Sequence, residues 1–472
     1  MMRTFPRARW VALASIVAIS FVSGGWLLRA RPAAGGGVYQ QARLFENVVG
    51  AINRHYIDSL GEGDLYQRAA GALVGSLQDP YAELLVGESY REYQRQMTGT
   101  EDAGRQSRPT ESGWDDGTNP TVVLVRPRGA GQPAVRRLTP ATVHVPAASP
   151  GVLMDGKVGY VVLRRLSEGA AEELRSAVDQ MVARGMKALV LDVRSNPGGL
   201  IREGVKIAGL FLQPGDTIAT SEGRSGRHPK TYLASSPAGW DQLRVVLLVN
   251  RGTASSAELI AGALQDHDRA VILGTPSYGK GVLQTTYPLG DEVALKLTTA
   301  RWFTPSGRTV QRPRSDAVGA PGNRTPAIQP RIFRTDAGRP IPDESGILPD
   351  LTVRTSLRSD GERVLHSALG DDLDRFRVAL TAYVGDLRAN GTVTDESFQI
   401  TPEMREGLYQ RIEQEGVALS PETFQDASSY VDEQLGYEIT RELFGTESVV
   451  RRQAKADRQL QAALRVLRGS RT

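Results

Sequence analysis

Ala188-Leu-Val-Leu-Asp192-Val-Arg-Ser-Asn196-Pro197-Gly198-Gly199-Leu-Ile-Arg202 decides the fold. An apolar run without polar alternation, closed by a turn of small residues and followed by helical spacing, marks a strand buried on both faces that hands over to a helix. The pattern recurs outward in both directions. Residues 158–163 and 243–250 read as further strands, 270–274 as a third fully apolar one, and 170–183, 202–211 and 257–266 as the helices between them. Short buried strands alternating with helices predict an α/β fold with a mainly parallel, layered sheet.

The flanks differ from this core. Residues 44–56 carry apolar side chains at helical spacing, a second helical stretch covers 65–77, and Asp79-Pro80-Tyr81 stops it. From Thr98 to about Asn119 the chain is polar and without period, and 121–125 and 134–145 read as short strands. Beyond Asp350 the text is charged and helical, ending in a helix over 451–467. Near the start, Trp10 to Leu28 form 19 uncharged, mostly apolar residues, with arginines on both sides. That is about the length of a membrane-crossing helix. It predicts an uncleaved anchor in the inner membrane, with the residues after 37 on the periplasmic or extracytoplasmic side.

The 472 residues hold no cysteine, which excludes disulfides, thiolate metal sites and a cysteine nucleophile. The net charge of +4 comes from five arginines within the first 37 residues; without them 52 basic residues face 53 acidic ones. Nucleic acid is therefore excluded as a partner class, because no clustered basic face remains to meet phosphates. No metal or organic cofactor is implied.

In open parallel sheets the active crevice lies beyond the carboxyl ends of the strands. The Gly198-Gly199 turn there presents backbone N–H groups beside a helix N-terminus, the makeup of an oxyanion hole, although a tight turn needs glycine as well. The second loop, Asn250-Arg-Gly-Thr253-Ala-Ser255-Ser256-Ala-Glu258, offers a serine at a strand-to-helix junction. Its Ser-x-x-Glu spacing is also that of a capping box, so nucleophile and cap both stand. The third loop holds Lys280 between two glycines, one of only seven lysines in an arginine-rich chain. Arginine could not replace it as a base, since only an amine gives up its proton when desolvated. His267, at the far end of the helix that begins beside Ser255, is roughly 15 Å away and reads as a surface residue. The serine and lysine do not share the Ser-x-x-Lys helix of penicillin-binding proteins.

Four blocks in order, Val158-Gly-Tyr-Val-Val162, Asp192 to Leu200, Asn250 to Asp266 and Ser277-Tyr-Gly-Lys280-Gly-Val-Leu-Gln284, resemble the carboxyl-terminal processing (tail-specific) proteases, a Ser/Lys peptidase family. Phe303-Thr-Pro-Ser-Gly-Arg308 and Gly346-Ile-Leu-Pro-Asp350 fit as well. The resemblance implies a crotonase-like layered core, Ser255 as nucleophile, Lys280 as general base and Gln284 as the residue that orients the lysine. It places the oxyanion hole on the backbone N–H groups of Gly198, Gly199 and Ser256. Where the family has Ala-Ser-Glu after the nucleophile, this chain has Ser256-Ala257-Glu258, which makes Ser256 a rival hydroxyl.

The family also carries a PDZ domain before the core, and here 98–148 leave room only for a reduced one. The domain organisation expected is thus a signal-anchor and linker (1–37), an N-terminal helical region (38–97), a reduced PDZ-like segment (98–148), the protease core (149–355) and a C-terminal helical region (356–472). Protein or peptide substrates, the membrane, and an adaptor or second copy of the chain are the partner classes implied. A crotonase-like acyl-thioester enzyme and a non-catalytic scaffold are the alternatives.

Overall fold

The computed structural model describes residues 36–103, strands within 121–144, and 145–469 apart from residues 156, 225, 227–228, 236–238, 241, 314–330 and 356–359. The expected anchor at 10–28 and most of the polar stretch after Ala103 lie outside the described residues. Among the described residues no helix is long and apolar enough to cross a membrane.

The chain divides into two compact units, Met1–Leu84 and Leu85–Thr472. Among its described residues the first holds a pair of helices, Gly36–His55 and Glu62–Gly75, in which the rings of Phe45 and Tyr66 meet at 6.1 Å. Both helices were legible from their apolar spacing.

The second unit is built on a six-stranded sheet. Leu351–Thr352, Val271–Gly274, Arg244–Val249, Ala188–Asp192 and Val158–Val162 lie side by side and parallel, and Val152–Met154 closes the edge antiparallel. The strand ends fall within a residue or two of the sequence expectation. Alternation sorts the side chains. Leu189, Leu191, Val245, Leu247 and Val249 pack on one face beneath the helices Ala170–Ala183, Ile201–Gly209 and Ser256–Asp266. Ala188, Val190, Val246 and Leu248 point to the other face, where Leu460, Leu464 and Leu467 of the helix Arg458–Arg468 cover them. A strand apolar at every position is thereby explained: each face has its own layer of helices.

Two features depart from the sequence reading. Residues 282–303, in which polar threonines interrupt any apolar run, form a long antiparallel hairpin, Val282–Gly290 with Val293–Phe303, joined by Thr217–Gly223 and Lys230–Leu233. The single helix expected over 451–467 is two, Thr446–Ala456 and Arg458–Arg468, broken where Asp457 leaves the helical region at ψ 100.

Residues 134–145 form two strands, Ala134–Leu138 pairing with Thr121–Val125 and Ala141–His144 pairing with Thr100–Ala103. The helices between Asp360 and Phe444 pack around their own core of Phe376, Leu408, Ile412, Leu435 and Ile439.

Candidate active site

Parallel strands place their carboxyl ends on one side, so the loops after Asp192, Val249 and Gly274 must meet there. They are tied to one another by backbone bonds. Ala254 N–H donates to Asn196 O at 2.9 Å, Tyr278 N–H donates to Thr253 O at 2.9 Å, and the Thr253 hydroxyl reaches Val193 O at 2.8 Å. Three segments far apart in sequence become one rigid platform.

Ser255 sits at the junction of the loop after the Arg244–Val249 strand and the Ser256–Asp266 helix with φ +56°. A residue with a side chain is strained there, and such strain persists only where surrounding contacts enforce it. The enforcing contacts are the bond from Ser255 N–H to the Glu258 carboxylate and the glycine turn. A Cβ built on Gly198, itself at φ +92°, would lie 2.8 Å from Ala254 O and 2.9 Å from Ser255 Cβ. Only glycine allows that approach, so the structure brings Ser255 and the glycine turn into contact.

The turn is oriented by Asn196, which is fully buried. Its Nδ2 donates to Leu163 O at 2.8 Å, and its Oδ1 accepts from Gly198 N–H at 2.9 Å. Gly198 O accepts from Leu166 N–H at 3.0 Å. In a trans peptide the carbonyl and the following N–H point in opposite directions, so Gly199 N–H faces away from Leu166. Of the two glycines, Gly198 has its N–H engaged with Asn196, and Gly199 directs its own across the turn. The Ser256 side chain is fully buried and its Oγ donates to Gly199 O at 3.2 Å. That hydroxyl ties helix to turn and is no accessible rival to Ser255.

Glu258 is the hub on the other side. It is fully buried on a helix whose every residue is buried, where a carboxylate must find partners. Its Oε2 accepts from Ser255 N–H and from Lys280 N–H, both at 2.8 Å. Its Oε1 accepts from the Ser277 hydroxyl at 2.5 Å and from Gly279 N–H at 2.7 Å. Burial pushes the Glu258 carboxyl above its ordinary range, and these four hydrogen bonds oppose the shift. The backbones of Ser255 and Lys280 are thus gathered at one oxygen atom, with Lys280 O also accepting from Trp302 Nε1 at 3.2 Å. Gln284 follows on the hairpin strand, next to an irregularity in register, and its Nε2 is buried without a hydrogen-bond partner.

The sequence reading singled out Ser255, Lys280 and the glycine turn but gave no role to Asn196 or Ser277, and took Glu258 for a cap alone. The signal for Glu258 was present: an acid in the first turn of a helix whose next six residues, Leu259 to Leu264, are apolar or glycine. His267, read as a surface residue, is instead largely buried, with Nδ1 on Asp336 at 2.7 Å and Nε2 on Thr217 O at 2.7 Å.

Residues 157–316 match peptidase family S41. A carboxy-terminal-processing protease of Bartonella bacilliformis is 39% identical over 162 residues, which are 34% of this chain and 37% of that protein. A CtpA-like serine protease of Staphylococcus epidermidis is 26% identical over 316 residues, 57% of this chain and 64% of the relative. Less than two thirds of either relative is therefore spanned. Among solved structures, the photosystem II D1 C-terminal processing protease aligns over 66% of this chain and 92% of its own, at 21% identity and a TM-score of 0.40. The loops that meet around Ser255 and Lys280 lie within the segment that matches peptidase family S41, in a chain that resembles the carboxyl-terminal processing proteases.

Proposed function

We propose that this chain is an exported serine endopeptidase of the carboxyl-terminal processing type, acting through Ser255 and Lys280. The observation that carries the reading is the convergence at Glu258: one buried carboxylate holds the backbones of both residues, while the glycine turn touches Ser255 from the other side. Neutral Lys280 takes the Ser255 proton as Oγ attacks the scissile carbonyl, and Gln284 orients the lysine. The developing oxyanion is received by the N–H groups of Gly199 and Ser256, the latter at the N-terminus of the Ser256–Asp266 helix, with Gly198 allowing the close approach. Collapse expels the amine, which leaves with the proton from Lys280. Water then attacks the acyl-enzyme and gives its proton to Lys280; the ester bond to Ser255 Oγ breaks, Lys280 returns the proton to Oγ, and the carboxylic acid departs.

The membrane anchor at 10–28, the extracytoplasmic placement, the crotonase-like layering and the reduced PDZ-like segment at 98–148 belong to the same proposal, as do protein substrates. Incubation of the chain with an unfolded reporter protein tests it, with fragments followed by mass spectrometry. Cleavage by the parent chain, lost in both Ser255→Ala and Lys280→Ala and rising toward alkaline pH, supports the reading. Cleavage that survives either substitution overturns the dyad, and no cleavage by the parent, with or without added partner, favours a scaffold.

A further inference from the structure

The loop that carries the glycine turn is fastened at its base by the far end of the chain. Arg194, two residues before Asn196, uses every guanidinium nitrogen. Nε donates to both oxygens of Asp192 at 2.9 and 3.0 Å. One terminal nitrogen reaches Asp192 Oδ2 at 2.6 Å and Asp457 Oδ2 at 2.7 Å, and the other reaches Asp457 Oδ1 at 3.2 Å and Gln459 Oε1 at 2.9 Å. Arginine has five N–H donors in a rigid fork, and here that fork joins two carboxylates. Asp192, the last residue of its strand, is held in turn by the Tyr160 hydroxyl at 2.8 Å and by Arg194 N–H at 2.9 Å.

On the other side, Asp457 occupies the break that the helical spacing of 451–467 does not announce. Its Oδ1 caps the last helix by accepting from Gln459 and Leu460 N–H, each at 3.0 Å. Burial alone would raise its carboxyl, but the Arg194 guanidinium holds it below the usual carboxylate range. Gln459, fully buried, also donates to Val353 O at 2.7 Å. Because Leu460, Leu464 and Leu467 seat this helix on the sheet, the Asp457 carboxylate is presented from a fixed position. It comes from well beyond residue 316, where the family match ends.

We infer that Asp457 is a positioning residue for the active site: through Arg194 it fixes the stem of the 192–199 loop, and with it the direction of Gly199 N–H, which makes the C-terminal helix a working part of the peptidase domain. This inference rests on the Ser/Lys reading of the site, and its test separates the two.

In the full-length chain, Asp457→Asn retains a good N-cap while removing the charge that faces Arg194. Arg194→Lys is the second variant, since lysine keeps the charge and loses the fork. Both are expected to lower kcat roughly ten- to a hundredfold with KM within about twofold, as small misplacements of a reacting group do. Hydrogen exchange supplies the readout independent of proteolysis. Amides of residues 194–196 and 198–200 are expected to exchange at least about tenfold faster, with Leu189, Leu191 and Leu247 as protected as in the parent. Unchanged exchange in the loop, or a loss of protection spread evenly over the sheet, overturns the inference whether or not the chain cleaves protein. If the parent leaves the reporter intact but the loop responds as expected, the peptidase reading fails and the Asp457 link stands.

Discussion

Ser255 and Lys280 donate their backbone N–H groups to the same oxygen of Glu258, each over 2.8 Å, so the two nitrogens lie no further apart than twice that distance. The spacing between proposed nucleophile and proposed base is therefore set by a third, buried side chain and not by either loop alone.

Replacing Glu258 by Gln swaps one acceptor oxygen for an amide donor among groups that are themselves donors. Each buried donor left unpaired costs about 1–3 kcal/mol. We expect Glu258→Gln to lose stability of that order in urea unfolding and to lower peptide cleavage by about a hundredfold or more. Parental cleavage by a folded Glu258→Gln variant would show that the shared carboxylate does not set the site.

The same residue governs the acid side of the pH profile. Both Glu258 oxygens accept two donors, so a proton must evict one of them. Burial raises this carboxyl, so protonation comes at a higher pH than for an ordinary glutamate, about 4.3. With its folded pKa above its unfolded one, Glu258 by itself favours folding as pH falls. Acid should thus switch activity off reversibly before it unfolds the domain. Cleavage and near-UV circular dichroism recorded across the acid range check this, and an activity loss that coincides with unfolding contradicts it.

Ser255 and Ser256 are separated by function. Ser256→Ala removes a buried hydroxyl that donates to Gly199 O, at about 1 kcal/mol of stability. It should cleave within a few-fold of the parent, whereas Ser255→Ala should be inactive. Labelling by a serine-directed fluorophosphonate, read by peptide mapping, distinguishes the two hydroxyls directly.

Arg308 and Asp266 form a buried ion pair at 2.8 Å, with side chains 3% and 2% exposed. The Asp266 carboxylate also accepts from Ser306 N–H, so the pair binds the end of the Ser256–Asp266 helix to the turn after the hairpin. Arg308→Ala leaves a buried carboxylate uncompensated, which costs about 3–5 kcal/mol. A midpoint in urea indistinguishable from the parent would remove the pair from the account of stability.

Much of the fold was legible because it is written in short-range pattern. The strands around Leu189, Leu247 and Ile272 are free of polar side chains except at the terminal Asp192 and Arg244, and a strand covered on both faces requires such a run. The glycines at 198 and 199, Ser255 and Lys280 could be singled out because each follows such a strand. The Val282–Phe303 hairpin escaped notice because its residues are half exposed and threonine-rich, without a period to follow. The break at Asp457 escaped because helical spacing continues through it, and its partner Arg194 is distant in sequence.

The sequence by itself thus determined the layered α/β core, the order of its elements and the candidate Ser255, Lys280 and glycine turn, since these depend on side-chain periodicity and on residues that alone permit a chemistry or a dihedral. Only the tertiary structure decided that Glu258 joins Ser255 to Lys280, that Gly198 N–H belongs to Asn196, that the Ser256 hydroxyl is spent on Gly199 O, and that Asp457 reaches Arg194. Hydrogen bonds between residues far apart in the chain are chosen by how the layers stack, and no local pattern records that choice.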